Sequence, residues 1–249
     1  MRIIISPAKK MRRDSDAPFS PAEPRFSSDA EYLVNTLKLM SAPGLCKLWG
    51  AGEKVCREAL SYLDTFDPSL PKTVALLAYD GIAFRYMAPG VFTDRMLDYA
   101  EEHLRILSGL YGVLCPFDGV LPYRLEMQAP LVTERGNDLY EYWGRRIHDA
   151  VFDGDDTVIN LASKEYSSCV ESYLGEGERF INVNFAELKN GRPVIRATYA
   201  KMARGEMVRF LSEREASCPE VMKEFTGLGF SFDESLSSSD DYWFIRKHE

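Results

Sequence analysis

Three stretches of the chain end an apolar run on small polar or charged residues, and those residues are equipped for chemistry. They are Ile3-Ile4-Ile5-Ser6-Pro7-Ala8-Lys9, Leu76-Leu77-Ala78-Tyr79-Asp80-Gly81 and Val158-Ile159-Asn160-Leu161-Ala162-Ser163-Lys164-Glu165-Tyr166. In open α/β sheets, ligands bind beyond the carboxyl ends of the strands. If the three runs are parallel neighbours, Ser6, Lys9, Tyr79, Asp80, Asn160, Ser163 and Glu165 converge. Helix starts at such places present backbone N–H donors to an anion. The competing role of Ser6 and Ser163 is simple helix capping, worth about 1 kcal/mol each.

Three more segments supply cations. In His103-Leu104-Arg105-Ile106-Leu107-Ser108-Gly109-Leu110-Tyr111-Gly112, the residues Arg105, Ser108 and Gly112 recur at helical spacing. In Pro122-Tyr123-Arg124-Leu125-Glu126-Met127, Arg124 and Glu126 alternate around Leu125 as strand faces do. A buried ion pair that only fixes the fold would use the same pattern. Tyr199-Ala200-Lys201-Met202-Ala203-Arg204-Gly205-Glu206-Met207 sets Lys201 and Arg204 on one helix face. Gly205 costs about 1 kcal/mol there relative to Ala, which points to close packing or close ligand approach. Lys9, Arg105, Arg124, Lys201 and Arg204, with Ser6, Asn160 and Ser163, form a candidate phosphate-binding set. Five phosphate contacts limit the log–log salt slope of binding to about −4.5. Should the site turn over a nucleotide or a nucleic-acid base, Glu165, Glu126 and Ser6 are the candidate catalytic groups, with Tyr166 as a stacking surface.

The elements that must carry these groups are read from periodicity and turn residues. Residues 2–5 form a strand, with Ser6 as N-cap and Pro7 at the first helical position. Residues 10–28, with Pro18, Pro21 and Pro24, form an irregular loop. Asp29–Met40 is a helix, Ser41-Ala42-Pro43-Gly44 a turn, and Leu45–Leu63 a second helix. Lys72–Tyr79 is a buried strand. Thr93–Val113 is the longest helical pattern, with Leu97, Ala100, Leu104, Leu107 and Tyr111 on one face. Arg135–Phe152 is an amphipathic helix and Thr157–Leu161 a strand. Ser163 caps a short helix to Leu174. Arg179–Ala186 and Pro193–Tyr199 flank Asn190-Gly191 as a hairpin. Ala200–Ala216 and Glu220–Phe225 are helices. Phe230–Phe232 and Tyr242–Arg246 form a final hairpin. The expected architecture is mixed α/β (α+β): one domain over 1–249, with a central sheet flanked by helices.

Composition narrows the function. The 249 residues are 45% hydrophobic and 27% charged, ordinary for a globular protein. No apolar run reaches the roughly 20 residues of a membrane helix, and the N-terminus lacks a secretory signal pattern. The net charge is −8, yet residues 1–50 carry 8 Lys/Arg against 5 Asp/Glu. Lys9, Lys10, Arg12 and Arg13 therefore mark a basic patch on an acidic protein. The five cysteines (Cys46, Cys56, Cys115, Cys169 and Cys218) hold no Cys-x-x-Cys and are expected to be reduced thiols. Cys115 has Asp118 near it and no close cation in sequence, so a lowered thiol pKa is not indicated. His103, His148 and His248 stand at no metal-ligand spacing, so neither metal nor cofactor is expected. No P-loop, GxSxG elbow, HExxH, EF-hand or complete GxGxxG occurs.

Taken in order, five of these segments resemble the YaaA peroxide-stress family. They are Ile5–Lys9, His103–Gly112, Pro122–Met127, Asn160-Leu161-Ala162-Ser163-x-Glu165-Tyr166 and Tyr199–Gly205. The resemblance implies a single domain of unusual topology in a cytoplasmic protein of hydrogen peroxide resistance that limits free intracellular iron. It also implies DNA binding through a helix-hairpin-helix element, placed here at about 29–63. Its hairpin would be Ser41, Pro43 and Gly44, and Lys38, Lys47 and Lys54 would be at hand. Such an element grips phosphates of double-stranded or branched DNA without reading sequence. The chain departs from the family pattern at Cys115, where many relatives have Arg, and at Gln128 and Met202. It also has Ile82 and Phe84 where some relatives have Asp and Tyr. An enzyme acting on a nucleotide or base is the alternative reading.

Overall fold

Ile3, Ile4 and Ile5 are almost wholly inaccessible, as expected of a β-branched run with neighbours on both sides and cover on both faces. They form β1 (Arg2–Ile5) in a computed structural model that describes residues 1–14 and 19–246. Pro18 and His248 lie outside the described residues. The remaining strands are β2 (Thr73–Val74), β3 (Leu104–Ser108), β4 (Gly112–Leu114), β5 (Gly119–Val120), β6 (Thr157–Leu161), β7 (Arg179–Lys189), β8 (Arg192–Val194), β9 (Phe230–Phe232) and β10 (Asp241–Arg246). The helices are α1 (Ser27–Lys38), α2 (Ala42–Leu48), α3 (Glu53–Asp64), α4 (Ala75–Ala78), α5 (Ile82–Met87), α6 (Asp94–His103), α7 (Leu139–Trp143), α8 (Arg146–Val151), α9 (Lys164–Glu171) and α10 (Ala197–Glu213).

The sheet runs β4-β3-β1-β6-β7-β10-β9, and β8 pairs β7. The five inner strands are parallel, with Ile4 opposite Arg105 on one side and Asn160 on the other. β4, β8 and β9 are antiparallel additions. The fold is a single mixed α/β domain. The Asn190-Gly191 hairpin is present, both residues having positive φ as a two-residue turn requires. The β9–β10 hairpin is present as well.

Several elements differ from the sequence reading. The apolar pattern over 93–113 is helical only as α6, capped by the Thr93 hydroxyl. Its second half is β3 and β4, because Leu104, Ile106, Leu107 and Leu110 are buried without any polar side. A run of that kind fits a helix face and a fully buried strand equally well. Ser6 and Pro7 start no helix. The 72–79 strand is two residues of β2 followed by α4. Gly144, at φ 50°, splits the expected 135–152 helix into α7 and α8.

The 29–63 segment is three helices. Ser41 is the N-cap of α2, its hydroxyl accepting the Gly44 N–H, and Pro43 sits in the first turn. The chain reverses later, at Trp49-Gly50-Ala51-Gly52, where Gly50 has φ 53°. There Cys46 and Cys56 are joined by a disulfide, their Cα atoms 5.4 Å apart. The expectation of five free thiols therefore fails for this pair, because the reversal brings residues ten apart in sequence side by side. Among the described residues no helix is long and apolar enough to cross a membrane.

Candidate functional site

β1 and β6 are adjacent and parallel, so their carboxyl ends open side by side; two of the three expected runs are thus parallel neighbours, whereas the third, 76–81, is α4 and the turn after it. Beyond them lies a cavity of about 370 Å³. Four walls form it: the chain after β1, the α4–α5 turn, the 123–126 segment, and the first turn of α9 with the second turn of α10.

Ser6 ends β1 and turns toward β6. Its hydroxyl accepts the Ser163 N–H at 2.8 Å and lies 3.1 Å from the Ser163 hydroxyl. Ser6 thus secures the start of α9 across the sheet, where Ser163's own side chain makes no capping bond. Lys9 follows, with Nζ 3.1 Å from Glu126 Oε1 and most of its side chain in solvent. Glu126 also accepts from Arg124 Nη2 at 2.8 Å. The alternating Arg124/Glu126 pattern is therefore an ion pair, and it sits on the cavity wall.

Glu165 stands on the first turn of α9, half-buried. Burial pushes its carboxyl above the usual range, and the Gln128 N–H and the charge of Lys9 only partly oppose this. Glu126 and Glu165 are therefore two carboxylates in different settings, one ion-paired and one biased toward its neutral form. Asp80, at the α4–α5 turn, is held at about 2 by Arg85 and Lys10. Behind the wall, Tyr123 hydrogen-bonds Tyr79 at 2.9 Å and Ser108 at 2.7 Å. Burial pushes the Tyr123 phenol up to about 12.

Lys201 and Arg204 approach from α10. Gly205 brings the helix against α5 so closely that an added Cβ would lie 1.9 Å from the Ala83 carbonyl oxygen. The glycine therefore serves packing, and the packing delivers the two cations to the cavity. Arg204 Nε is buried with no hydrogen-bond partner, and desolvation lowers the guanidinium's pKa with no counter-charge to offset it. Arg124 Nε is likewise buried without a hydrogen-bond partner, although its Nη2 meets Glu126.

Two residues of the expected set lie elsewhere. Arg105 is near the amino end of β3 and does not line the cavity. Its Nη1 donates to the Glu101 and Leu104 carbonyls, and it shares a separate hollow with Arg2, Arg25, Cys115 and Asp118. The strand that replaces the expected helix is what moves it away. Asn160 is turned into the sheet: its amide donates to Asn182 at 2.8 Å and its oxygen accepts the Ala162 N–H. Lys10, in the sequence only one member of a basic run, is a cavity residue that the motifs do not single out. Its bridge to Asp80 at 3.0 Å places it on the rim. The adjacency of Lys9 in sequence was the available signal. Among the described residues no group of three or more His, Cys, Asp or Glu could hold a metal ion.

The helical reversal forms a second polar feature. Lys47 and Lys54 are exposed beside it, and Gly50 and Gly52 have open space where a side chain would be. Trp49, buried under the turn, borders a small hollow with Tyr123, Arg124 and Leu125. The reversal thus leans on the segment that lines the main cavity. Lys38 is turned away, toward the Phe66 carbonyl.

The family model of the peroxide stress protein YaaA matches residues 1–236. The chain is 44% identical to a UPF0246 protein of Agathobacter rectalis over 247 residues, covering 99% of each chain. It is 45% identical to a UPF0246 protein of Desulfitobacterium hafniense, covering 99% of this chain and 98% of the relative. A UPF0246 protein of Lactobacillus delbrueckii subsp. bulgaricus is 44% identical over 99% of this chain and all of its own.

Proposed function

This chain belongs to the YaaA family of peroxide stress proteins, and from that premise we propose that it binds DNA by its phosphates at two stations. One is the cavity, with Lys9, Lys201 and Arg204 as donors and Arg124 behind them. The other is the α2–α3 reversal, which takes the part of the hairpin in a helix-hairpin-helix element. Its hairpin is Gly50-Ala51-Gly52, with Lys47 and Lys54 beside it, rather than Ser41, Pro43 and Gly44. α3 has no side-chain cap, so its first amides are free for an anion.

The observation that carries this reading is Arg204. A guanidinium with a buried, unpartnered Nε beside two lysines lacks an anion, and phosphate supplies one bidentately. The protein would act in the cytoplasm and help to limit free iron and oxidative damage. No metal-holding cluster is found among the described residues, so the proposal routes that link through nucleic acid rather than direct capture.

The test is fluorescence anisotropy on duplex and branched DNA with Lys9→Ala/Arg204→Ala and, separately, Lys47→Ala/Lys54→Ala. Weakened binding in both variants is expected. Binding unaltered in both would overturn the proposal.

The unequal pair Glu126 and Glu165 favours a second reading, an enzyme acting on a nucleotide or base with Glu165 as general acid. Unchanged substrate pools in a Glu165→Gln comparison would sink it.

A further inference from the structure

We propose that the cavity beyond β1 and β6 receives one phosphate-bearing nucleotide, free or at the end of a strand, with its phosphate on Arg204 and Lys201. This rests on the phosphate-station reading above and sharpens it.

Size comes first. At about 370 Å³ the cavity is near the lower end of the roughly 300–1,000 Å³ of small-molecule sites. A duplex, whose major groove alone is about 12 Å wide, can touch its mouth but cannot enter it. A single nucleotide can.

The distribution of chemistry comes second. Ile5, Phe84, Leu125 and Leu161 give the cavity apolar walls, and Tyr166 adds a ring. The cavity cations without an ion pair among the described residues, Arg204 and Lys201, both come from α10. On the 123–126 segment, Glu126 is occupied by Arg124 and Lys9, so that carboxylate is already neutralised. A molecule that is flat and largely apolar at one end and dianionic at the other satisfies both halves. An inorganic anion would satisfy only the cations, and a neutral nucleoside only the walls.

The third element is Glu165. It lines the cavity within reach of the charge of Lys9, and burial raises its carboxyl above the usual range. A carboxylate accepts a hydrogen bond from an amino group or ring N–H of a base, and a proton taken up there would let it donate one as well. Glu165 thereby faces the base end and Arg204 the phosphate end.

The experiment is calorimetric titration of the full chain with nucleoside 5′-monophosphates, the matching nucleosides and inorganic phosphate. Monophosphate is expected to bind at least about tenfold more tightly than either, the worth of one charge-assisted hydrogen bond. Arg204→Lys keeps the charge and loses the planar fork, so it should weaken the monophosphate and inorganic phosphate but not the nucleoside. Because Arg204 is half-buried, Lys201→Ala provides an exposed second variant, which should lose affinity in the same sense without loss of helical circular dichroism.

Anisotropy on duplexes with and without a 5′-phosphate, with monophosphate as competitor, separates the sources. Competition with a preference for the phosphorylated end places a strand terminus in the cavity. Monophosphate binding without competition places a free nucleotide there. Either supports the inference. Equal affinity for nucleoside, phosphate and nucleotide overturns it, as does binding indifferent to both variants. If monophosphate fails while duplex binding persists and is lost in Lys9→Ala/Arg204→Ala, the single-nucleotide inference falls and the DNA reading stands. If both fail, both fall.

Discussion

The two ends of the parallel strands are both rich in arginine and carboxylate, but they are built oppositely. At the amino end the cations have counter-charges or carbonyls at hand, and even Arg2 Nε, buried without an aligned hydrogen bond, lies 2.9 Å from Asp155. The Met1 ammonium and Arg2 meet Asp155, Arg25 meets Asp153 at 2.8 Å, and Arg105 donates to two carbonyls. At the carboxyl end, Glu126 takes two cations and still leaves Lys201, among the described residues, without an ion pair and Arg204 with an idle buried nitrogen. Charged residues at the end of a sheet do not by themselves mark a site. Unused donor capacity facing a cavity does, because a buried unsatisfied group is costly unless a ligand completes it.

The largest effect that tests this contrast is at the closed end. Asp155→Ala removes the partner of both the N-terminal ammonium and Arg2, at side chains that are mostly buried. It should cost about 3 kcal/mol of unfolding free energy in denaturant titration while leaving phosphate binding unchanged. A stable variant that loses binding would break the contrast.

Asp118, in the hollow with Arg105, is next. Burial raises its carboxyl from 3.8 to about 6. The folded value exceeds the unfolded one, so the stability it contributes is full below about pH 4 and is lost as pH rises through 6. That loss is on the order of 2–3 kcal/mol. Stability of Asp118→Asn, measured from pH 4 to 7, should lack that decline. A decline equal to the parent's would assign it to another group.

Arg204→Met sharpens the comparison in the opposite direction. Removing an unpartnered, half-buried cation should leave stability unchanged or raise it by about 1 kcal/mol, at the expense of binding. A large drop in melting temperature would show that the guanidinium holds the fold. The smallest effect is expected of Arg105→Ala, which should not alter DNA affinity at any salt concentration.

Part of this contrast was legible in the sequence. The convergence of Ser6, Lys9, Ser163 and Glu165 followed from short apolar runs ending on polar residues, and the parallel pairing of β1 and β6 realised it. Lys201 and Arg204 followed from helical spacing. The assignment of Arg105 failed because a continuous apolar run carries no period, so the strand β3 was read as helix and its arginine was placed on the wrong end of the sheet. Asn160 has the right position along β6 but faces Asn182, a partner on a neighbouring strand that no local pattern reveals. The helical reversal was placed eight residues early, since Pro43 suits the first turn of a helix as well as a turn.

The central claim is that phosphate is gripped at the carboxyl end of the strands and not at the amino end. The most direct measurement is duplex affinity by anisotropy across a salt series for the parent, Arg105→Ala and Lys9→Ala/Arg204→Ala. With Arg105 excluded, four cavity cations remain, and their contribution limits the log–log slope to about −3.6. The account predicts that Arg105→Ala reproduces the parent slope and that the double variant is shallower by about 2. A parent slope retained by the double variant, or lost in Arg105→Ala, would contradict it.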